Sequence, residues 1–174
     1  HLLFIEYNMM ILLFNLIPIW PLDGGKLVFI LLSMNNSFQE AHLRALYVSA
    51  GSLVIFSLIL SLIAPLTLNV WVIIGFLAFS IYYEWKQRRF IFMRFLMERH
   101  YGKQLDLREL KPINATENEM VGHVLEKFQR GCKHPIIVKQ QDGKEMVMDE
   151  NELLHAFFSE KLLSAKIGDL LYTF

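Results

Sequence analysis

The sequence predicts an α-helical polytopic membrane region, built from a discontinuous helix plus two transmembrane helices, followed by a small α/β domain. Three observations lead there. Charge is segregated: of 17 Lys/Arg and 17 Asp/Glu, only Glu6, Asp23, Lys26, Glu40 and Arg44 fall in residues 1–83. Two stretches of that region, ALYVSAGSLVIFSLILSLIA at 45–64 and LTLNVWVIIGFLAFSIYY at 66–83, contain no ionised side chain. A third apolar stretch, 9–32, is interrupted in its middle by Pro18, Pro21 and the run Asp23, Gly24, Gly25.

Each uncharged stretch is long enough to cross a hydrocarbon layer of roughly 30 Å at about 1.5 Å of rise per residue. The interrupted stretch obeys a different constraint. Pro18 and Pro21 each remove a backbone donor and disfavour helical geometry in the residue before them, and Gly24 and Gly25 admit conformations closed to other residues. A backbone broken at membrane depth must find its hydrogen bonds in protein or in a wet cavity, never in lipid. Residues 9–32 are therefore predicted to be a broken helix facing the protein interior.

The basic residues set the expected orientation. EWKQRRFIFMRFLMERHYGK, at 84–103, has six Lys/Arg against two Glu, and the 33–44 loop carries Arg44. The positive-inside rule puts the 33–44 loop and everything after Tyr83 in the cytoplasm, with the Ala64-Pro65 turn opposite. This is the pattern of a multi-pass integral membrane protein with a cytoplasmic C-terminal domain. Residues 84–111 read as a basic juxtamembrane linker. In one reading Phe90, Ile91, Phe92, Phe95, Leu96 and Met97 lie along the membrane surface while the arginines reach phosphates. In the other they belong to a solvated extension of the last helix with some packing.

Residues 112–174 have the pattern of a small α/β domain. Glu117–Arg130 is predicted to be a helix with Met120, Val121, Val124, Leu125 and Phe128 on one face, and Thr116 with Glu119 suggests a capping box. HPIIVKQQDGKEMVM, at 134–148, reads as two strands joined through Asp142-Gly143. Asn151–Lys161 reads as a second helix and Ile167–Leu171 as a short closing element. A unit of about 60 residues is marginal alone, so self-association or packing on the membrane region is expected.

Net charge is zero and the pI is near 7.2, which argues against nucleic acid as a partner. The single cysteine, Cys132, forbids an internal disulfide, suits a reducing compartment and reads as a packed thiol. The chain begins at His1, already close to apolar sequence, and is read as a C-terminal part of a longer protein.

Asp23 is the residue most suggestive of chemistry. An ionisable group at a helix break inside an apolar segment is costly, and a functional site is the default explanation. The competing reading makes it an N-cap for a helix restarting at Lys26. Asn15 lies in the same apolar run, and its amide must also be satisfied in low dielectric. The histidines are His1, His42, His100, His123, His134 and His155, and no H-E-x-x-H occurs. His42 is read as a solvated loop residue.

The run NLIPIWPLDGG at 15–25 resembles the N-x-x-P-x-x-P-x-D-G signature of the site-2 proteases, peptidase family M50. Set before two transmembrane helices and a cytoplasmic domain, it is most similar to the sporulation branch, which processes a membrane-tethered pro-sigma factor. FNLIPIWPLDGGKL, RGCKHPII and DENELLHA carry the likeness toward both ends of the chain. The resemblance implies a zinc enzyme, in which an H-E-x-x-H helix supplies two histidines and the general-base Glu, and the Asp of the D-G pair completes the ligand set. Carried over, Asp23 is the metal ligand, while Asn15, Pro18, Pro21 and Gly24 shape the substrate groove. The implied partners are a membrane-tethered protein substrate and inhibitory membrane proteins, with the C-terminal domain on the mother-cell side. Because the histidine half is absent, this chain alone is predicted to be inactive.

The C-terminal domain resembles a single CBS domain, a unit that self-associates and often binds ATP. Asp149 falls where such domains carry a Ser/Thr near the phosphates, and Glu152 where they carry the ribose-binding acid. Both also suit a helix start, where acids complement the dipole. Two other classes stand beside the protease at this level: a CBS-regulated membrane transporter and a non-catalytic membrane scaffold.

Overall fold

A computed structural model describes residues 2–63, 67–102, 109–140, 143–159 and 165–171. They form two compact units, one of residues up to Asn36 with Glu40–Arg89, the other of Ser37–Gln39 with Phe90–Phe174.

The first unit is helical. α1 (Leu2–Asn15) and α2 (Asp23–Ser33) are separated by an irregular stretch, so the predicted discontinuous helix is present. At about 1.5 Å per residue, their 14 and 11 residues give lengths of only about 21 and 17 Å. Among the described residues, α3 (Phe38–Ile63) and α4 (Leu68–Tyr101) are the two helices long and apolar enough to cross a membrane. Exposed apolar side chains cover them and α1, from Phe4 and Met10 to Leu62, Trp71 and Phe79, a surface that suits lipid or other apolar helices and not water.

Two expectations are corrected here. The 33–44 segment is not a loop throughout, because α3 begins at Phe38. His42 consequently lies on a helix face and is 4% exposed, so it is a buried residue and not a solvated one.

Ile19 anchors the stretch between α1 and α2. It is fully buried with Leu53 of α3 and Leu77 of α4, and Ile17, Leu22, Phe56, Ile74 and Ile81 pack around them. The chain then closes on itself at the head of α2. A Cβ on Gly24 would stand 2.2 Å from the Leu16 carbonyl oxygen and 2.4 Å from that of Ile17, and one on Gly25 would stand 2.7 Å from the Trp20 nitrogen. Backbone packs on backbone at both positions, and only the missing side chain allows it.

The second unit begins within the long helices. α4 continues unbroken to Tyr101, into the segment read as a linker, and its side chains there divide. Phe92 and Leu96 are buried, Phe95 stacks on Phe38 at 4.2 Å, and Phe90 is left 81% exposed. The packed-extension reading therefore describes Phe92, Phe95 and Leu96, which are not available to a membrane surface.

Beyond it lie β1 (Glu109–Leu110), β2 (Ile113–Thr116), α5 (Val121–Glu126), β3 (Cys132–Lys133), β4 (Ile136–Lys139), β5 (Glu145–Met148), α6 (Glu150–Phe158) and α7 (Ile167–Leu171). β2 and β4 pair in parallel across α5, β4 and β5 pair antiparallel, and β1 pairs with β3. β2 went unseen in the sequence because INAT has a single large apolar residue; its partner β4, with IIVK, carries the pattern.

The predicted first helix is shortened to α5. Thr116 and Glu119 form a turn ahead of it, with the Glu119 N–H donating to the Thr116 carbonyl at 2.9 Å, and Met120 takes the N-cap position without a side-chain bond. The Thr116 N–H donates to Glu119 Oε2 at 3.5 Å, so the Glu half of the predicted capping box is present, in a turn between β2 and α5 and not at the N-cap itself. The β4–β5 hairpin is present with Gly143 at φ +77°, a left-handed turn residue, whereas Asp142 lies outside the described residues.

Arg99, from the last turn of α4, is the polar centre of this unit. Its side chain is 6% exposed and pairs through Nε and Nη2 with Glu150, which is 3% exposed. It also donates to the carbonyls of Gln129, at 2.8 Å, and Cys132, and lies over the rings of Phe95 and Phe128. Glu150 in turn accepts from the His134 backbone N–H at 2.8 Å. The His134 ring is held in one neutral tautomer: Nε2 accepts from the Gln129 N–H at 2.9 Å, leaving Nδ1–H for the Lys111 carbonyl at 2.8 Å. Burial pushes the His134 pKa below its ordinary value, since the charged form would be desolvated.

Two outcomes are expected. Gly24→Ala should prevent the native arrangement of the α1–α2 connection, because carbonyl oxygens cannot move aside as side chains do; limited proteolysis of the membrane-inserted protein should show a new cleavage between residues 16 and 22. For His134, the folded pKa lies below the unfolded value of about 6.5, so the unfolded chain takes up the proton first. Its contribution to stability is complete above about pH 6.5 and is lost as the pH falls through the lower folded value. The melting temperature should fall from pH 7.5 to pH 5, and His134→Gln should flatten that dependence.

Candidate functional site

The candidate site is the connection between α1 and α2, and its backbone hydrogen bonds account for its shape. Leu16 N–H donates to the Leu12 carbonyl at 3.1 Å and Ile17 to Phe14 at 3.3 Å, finishing α1. Ile19 donates to Ile17 at 2.7 Å and Leu22 to Ile19 at 2.8 Å, two tight turns in succession. Pro18 and Pro21 have no N–H to satisfy. Trp20 is left as the one donor without a main-chain acceptor, and it donates to the Ser49 hydroxyl of α3 at 3.1 Å. Every N–H from Leu16 to Leu22 is thereby used, as a low-dielectric setting requires.

The predicted site residues separate by environment. Asn15 ends α1, and Asn15, Pro18 and Pro21 are each partly exposed along the connection, while Gly24 is buried against the carbonyls of Leu16 and Ile17. Asp23 opens α2. Its carboxylate is 69% exposed and lies 3.0 Å from Lys26 Nζ. It is not the N-cap, since Leu22 holds that position and makes no side-chain bond. The N-cap reading is therefore corrected, although an acid in the first turn still complements the helix dipole. Asp149 and Glu152 stand apart from these residues, in the second unit. Asp149 precedes α6 and pairs with Lys133 at 2.9 Å, and Glu152 is exposed in the first turn.

Asp23 meets the chemical requirement for a zinc ligand: an oxygen donor, accessible, on a position fixed by the buried glycines after it. A complete site needs more. Among the described residues no three His, Cys, Asp or Glu cluster where they could hold a metal.

Sequence reasoning missed the residues that hold the connection from outside. Trp20 meets the His42 ring edge-on at 5.9 Å and the Phe29 ring at 6.5 Å, and its indole hydrogen-bonds to the Glu84 carboxylate of α4. His42 Nε2 lies 3.8 Å from Glu84 Oε1. Trp20 stood in view as a variable position of the motif. Glu84 was visible too, as a carboxylate at the very end of an apolar stretch, but it was grouped with the basic linker. Nothing in α3 separates Ser49 from the other small residues of its run.

Residues 2–59 match peptidase family M50. Over 169 residues, 97% of this chain, the sequence is 44% identical to the stage IV sporulation protein FB of Bacillus subtilis (strain 168). The chain spans 59% of the length of that relative. The matched stretch contains α1, the interrupted connection with Asp23, α2 and most of α3. Residues 2–59 thus carry the likeness to peptidase family M50, and the chain as a whole is similar to the sporulation protein.

Proposed function

We propose that this chain is the C-terminal part of a zinc-dependent intramembrane protease that cleaves a membrane-tethered precursor, with Asp23 as its contribution to the metal centre. The observation that carries the reading is the exposed Asp23 carboxylate at the head of α2, beside a backbone interrupted among apolar helices. The similarity to a sporulation protein supports a pro-sigma factor as the precursor, and membrane inhibitors as partners. The basic residues after Tyr83 support a cytoplasmic, mother-cell-side C-terminal domain.

When bound, zinc supplies Lewis-acid activation of the attacking water. The residues of this chain do the rest of their work by position. Asp23 presents a carboxylate oxygen at an exposed position, with Lys26 Nζ 3.0 Å away. Asn15 offers an amide with both donors and acceptors, suited to a substrate backbone laid along the connection. Pro18 and Pro21 leave no competing N–H there, so a substrate strand meets carbonyls and the Asn15 amide. The general base and two imidazoles are assigned to sequence upstream of this chain.

For the second unit, the βαββα order of β2, α5, β4, β5 and α6 supports the CBS reading and self-association through it. Lys133 offsets the charge of Asp149 and leaves that position compatible with phosphate, and Glu152 is free to accept from ribose hydroxyls. ATP regulation is proposed on that basis.

Two experiments test these assignments. Joined to an upstream half bearing H-E-x-x-H, the chain should bind one zinc and cleave a tethered substrate; Asp23→Asn should reduce cleavage at least 100-fold and lower the zinc content measured by elemental analysis. Insertion should be unaffected, because the loss of a first-turn acid costs only about 0.3–1 kcal/mol. Cleavage at the original rate would refute Asp23 as a ligand. In calorimetric titration of the intact protein, ATP should bind at millimolar concentration, and Glu152→Ala should weaken it several-fold; absence of heat in the unsubstituted protein rules the nucleotide out.

A further inference from the structure

We propose that Ser49 and Glu84 are positioning residues for the candidate site, acting through Trp20; the proposal rests on the protease reading for its catalytic consequence only. Trp20 lies three residues before Asp23 and is the point at which both long helices grip the connection. Ser49 takes its backbone N–H and Glu84 its indole N–H. The two bonds come from different helices and meet different parts of one residue, so they fix its position and its rotation together.

Neither group is there for packing. Ser49 is 1% exposed and its hydroxyl donates a hydrogen bond to the Ala45 carbonyl at 2.8 Å, leaving its lone pairs to accept from the Trp20 N–H. The Glu84 side chain is only 19% exposed, at the end of the apolar stretch of α4, and a carboxylate so enclosed is costly unless it is engaged. It is engaged by the indole, with His42 Nε2 at 3.8 Å. His42 closes the arrangement by packing edge-on against both Trp20 and Phe29. Ile19 and Leu22, on either side of Trp20, are held by apolar contact, which resists withdrawal but does not direct rotation. Direction comes from the two hydrogen bonds, which low dielectric strengthens.

From Trp20 the chain has little freedom before the carboxylate. Pro21 has a fixed φ, Leu22 is bonded back to Ile19 at 2.8 Å, and Gly24 and Gly25 sit against carbonyls and a backbone nitrogen that cannot yield. A rotation released at Trp20 is therefore passed to Asp23.

The test uses the complete protein in membranes, with Cys132→Ser and a reporter cysteine, Leu22→Cys. Modification of that cysteine by a thiol reagent should accelerate about tenfold with Ser49→Ala, Glu84→Leu or Trp20→Phe. It should stay slow with Ser49→Thr and Glu84→Gln, which keep an acceptor. Trp20→Phe combined with Glu84→Leu should be no faster than either alone. Without the reporter, kcat for the tethered substrate should fall about 10- to 100-fold at unchanged KM in the three disruptive variants, and recover in the two conservative ones. Unchanged labelling in Ser49→Ala, Glu84→Leu and Trp20→Phe would overturn the proposal, and Trp20→Phe preserves enough bulk for that result to count if Glu84→Leu misfolds. Faster labelling in an enzyme that shows no proteolysis even unsubstituted would sink the protease reading and leave the clamp standing.

Discussion

A helix interrupted among apolar neighbours must satisfy its own backbone, and the first unit is organised around that demand. The connection from Leu16 to Leu22 meets it in three ways. Prolines at 18 and 21 subtract two donors that would need partners. Two tight turns consume two more, on Ile19 and Leu22, while those of Leu16 and Ile17 finish α1. The remaining donor, on Trp20, is served by a hydroxyl from another helix. This solution dictates glycine at 24 and 25, because turns that tight return the chain onto the head of α2 with no space for a Cβ. The exposed carboxylate of Asp23 is the outcome of this folding: the residue before the glycines is turned outward while the glycines are turned in.

The second unit solves a different problem with similar means. It has a small sheet and short helices, and its core contains Phe128, Leu125, Val138, Leu153 and Leu154. A polar centre at Arg99 lies beside that core. A buried ion pair seldom adds net stability over apolar packing, but losing one partner costs about 3–5 kcal/mol. Arg99 thus makes the last turn of α4 a required part of the fold. Its guanidinium closes the open carbonyls of Gln129 and Cys132 as well as the Glu150 charge. Phe38 contributes from the start of α3 in the same way, donating its N–H to the Phe128 carbonyl at 2.9 Å and stacking on Phe95.

What was legible in the sequence follows from what each interaction needs. The two long apolar helices and the break between α1 and α2 were visible because solvent imposes them on composition and on proline and glycine placement. The β4–β5 hairpin and α7 were visible because turn chemistry and local periodicity mark them. The motif residues from Asn15 to Gly24 were visible as a pattern, without the reason for the pattern. Contacts between elements distant in sequence were not. Ser49 and Glu84 lie 29 and 64 positions from Trp20, and Arg99 lies 51 from Glu150. Single residues of that kind leave no periodic trace. His42 misled for a related reason: a polar residue near charged neighbours reads as solvated until the helix that carries it turns it inward.

Two consecutive acids in the second unit show how sharply environment separates like side chains. Glu150 is sealed against Arg99, whereas Asp149, one residue earlier, shares Lys133 with open solvent; the Asp149 and Lys133 side chains are 41% and 39% exposed. At physiological ionic strength the screening length is about 8 Å, and it acts on the exposed pair far more than on the enclosed one. Added salt will therefore loosen Lys133 from Asp149 while leaving Arg99 and Glu150 joined. A multiply charged anion offers the same lysine a stronger partner than dissolved salt does. The strand end at Lys133 can thus exchange counter-ions while the fold beneath it, held through Glu150, stays as it was.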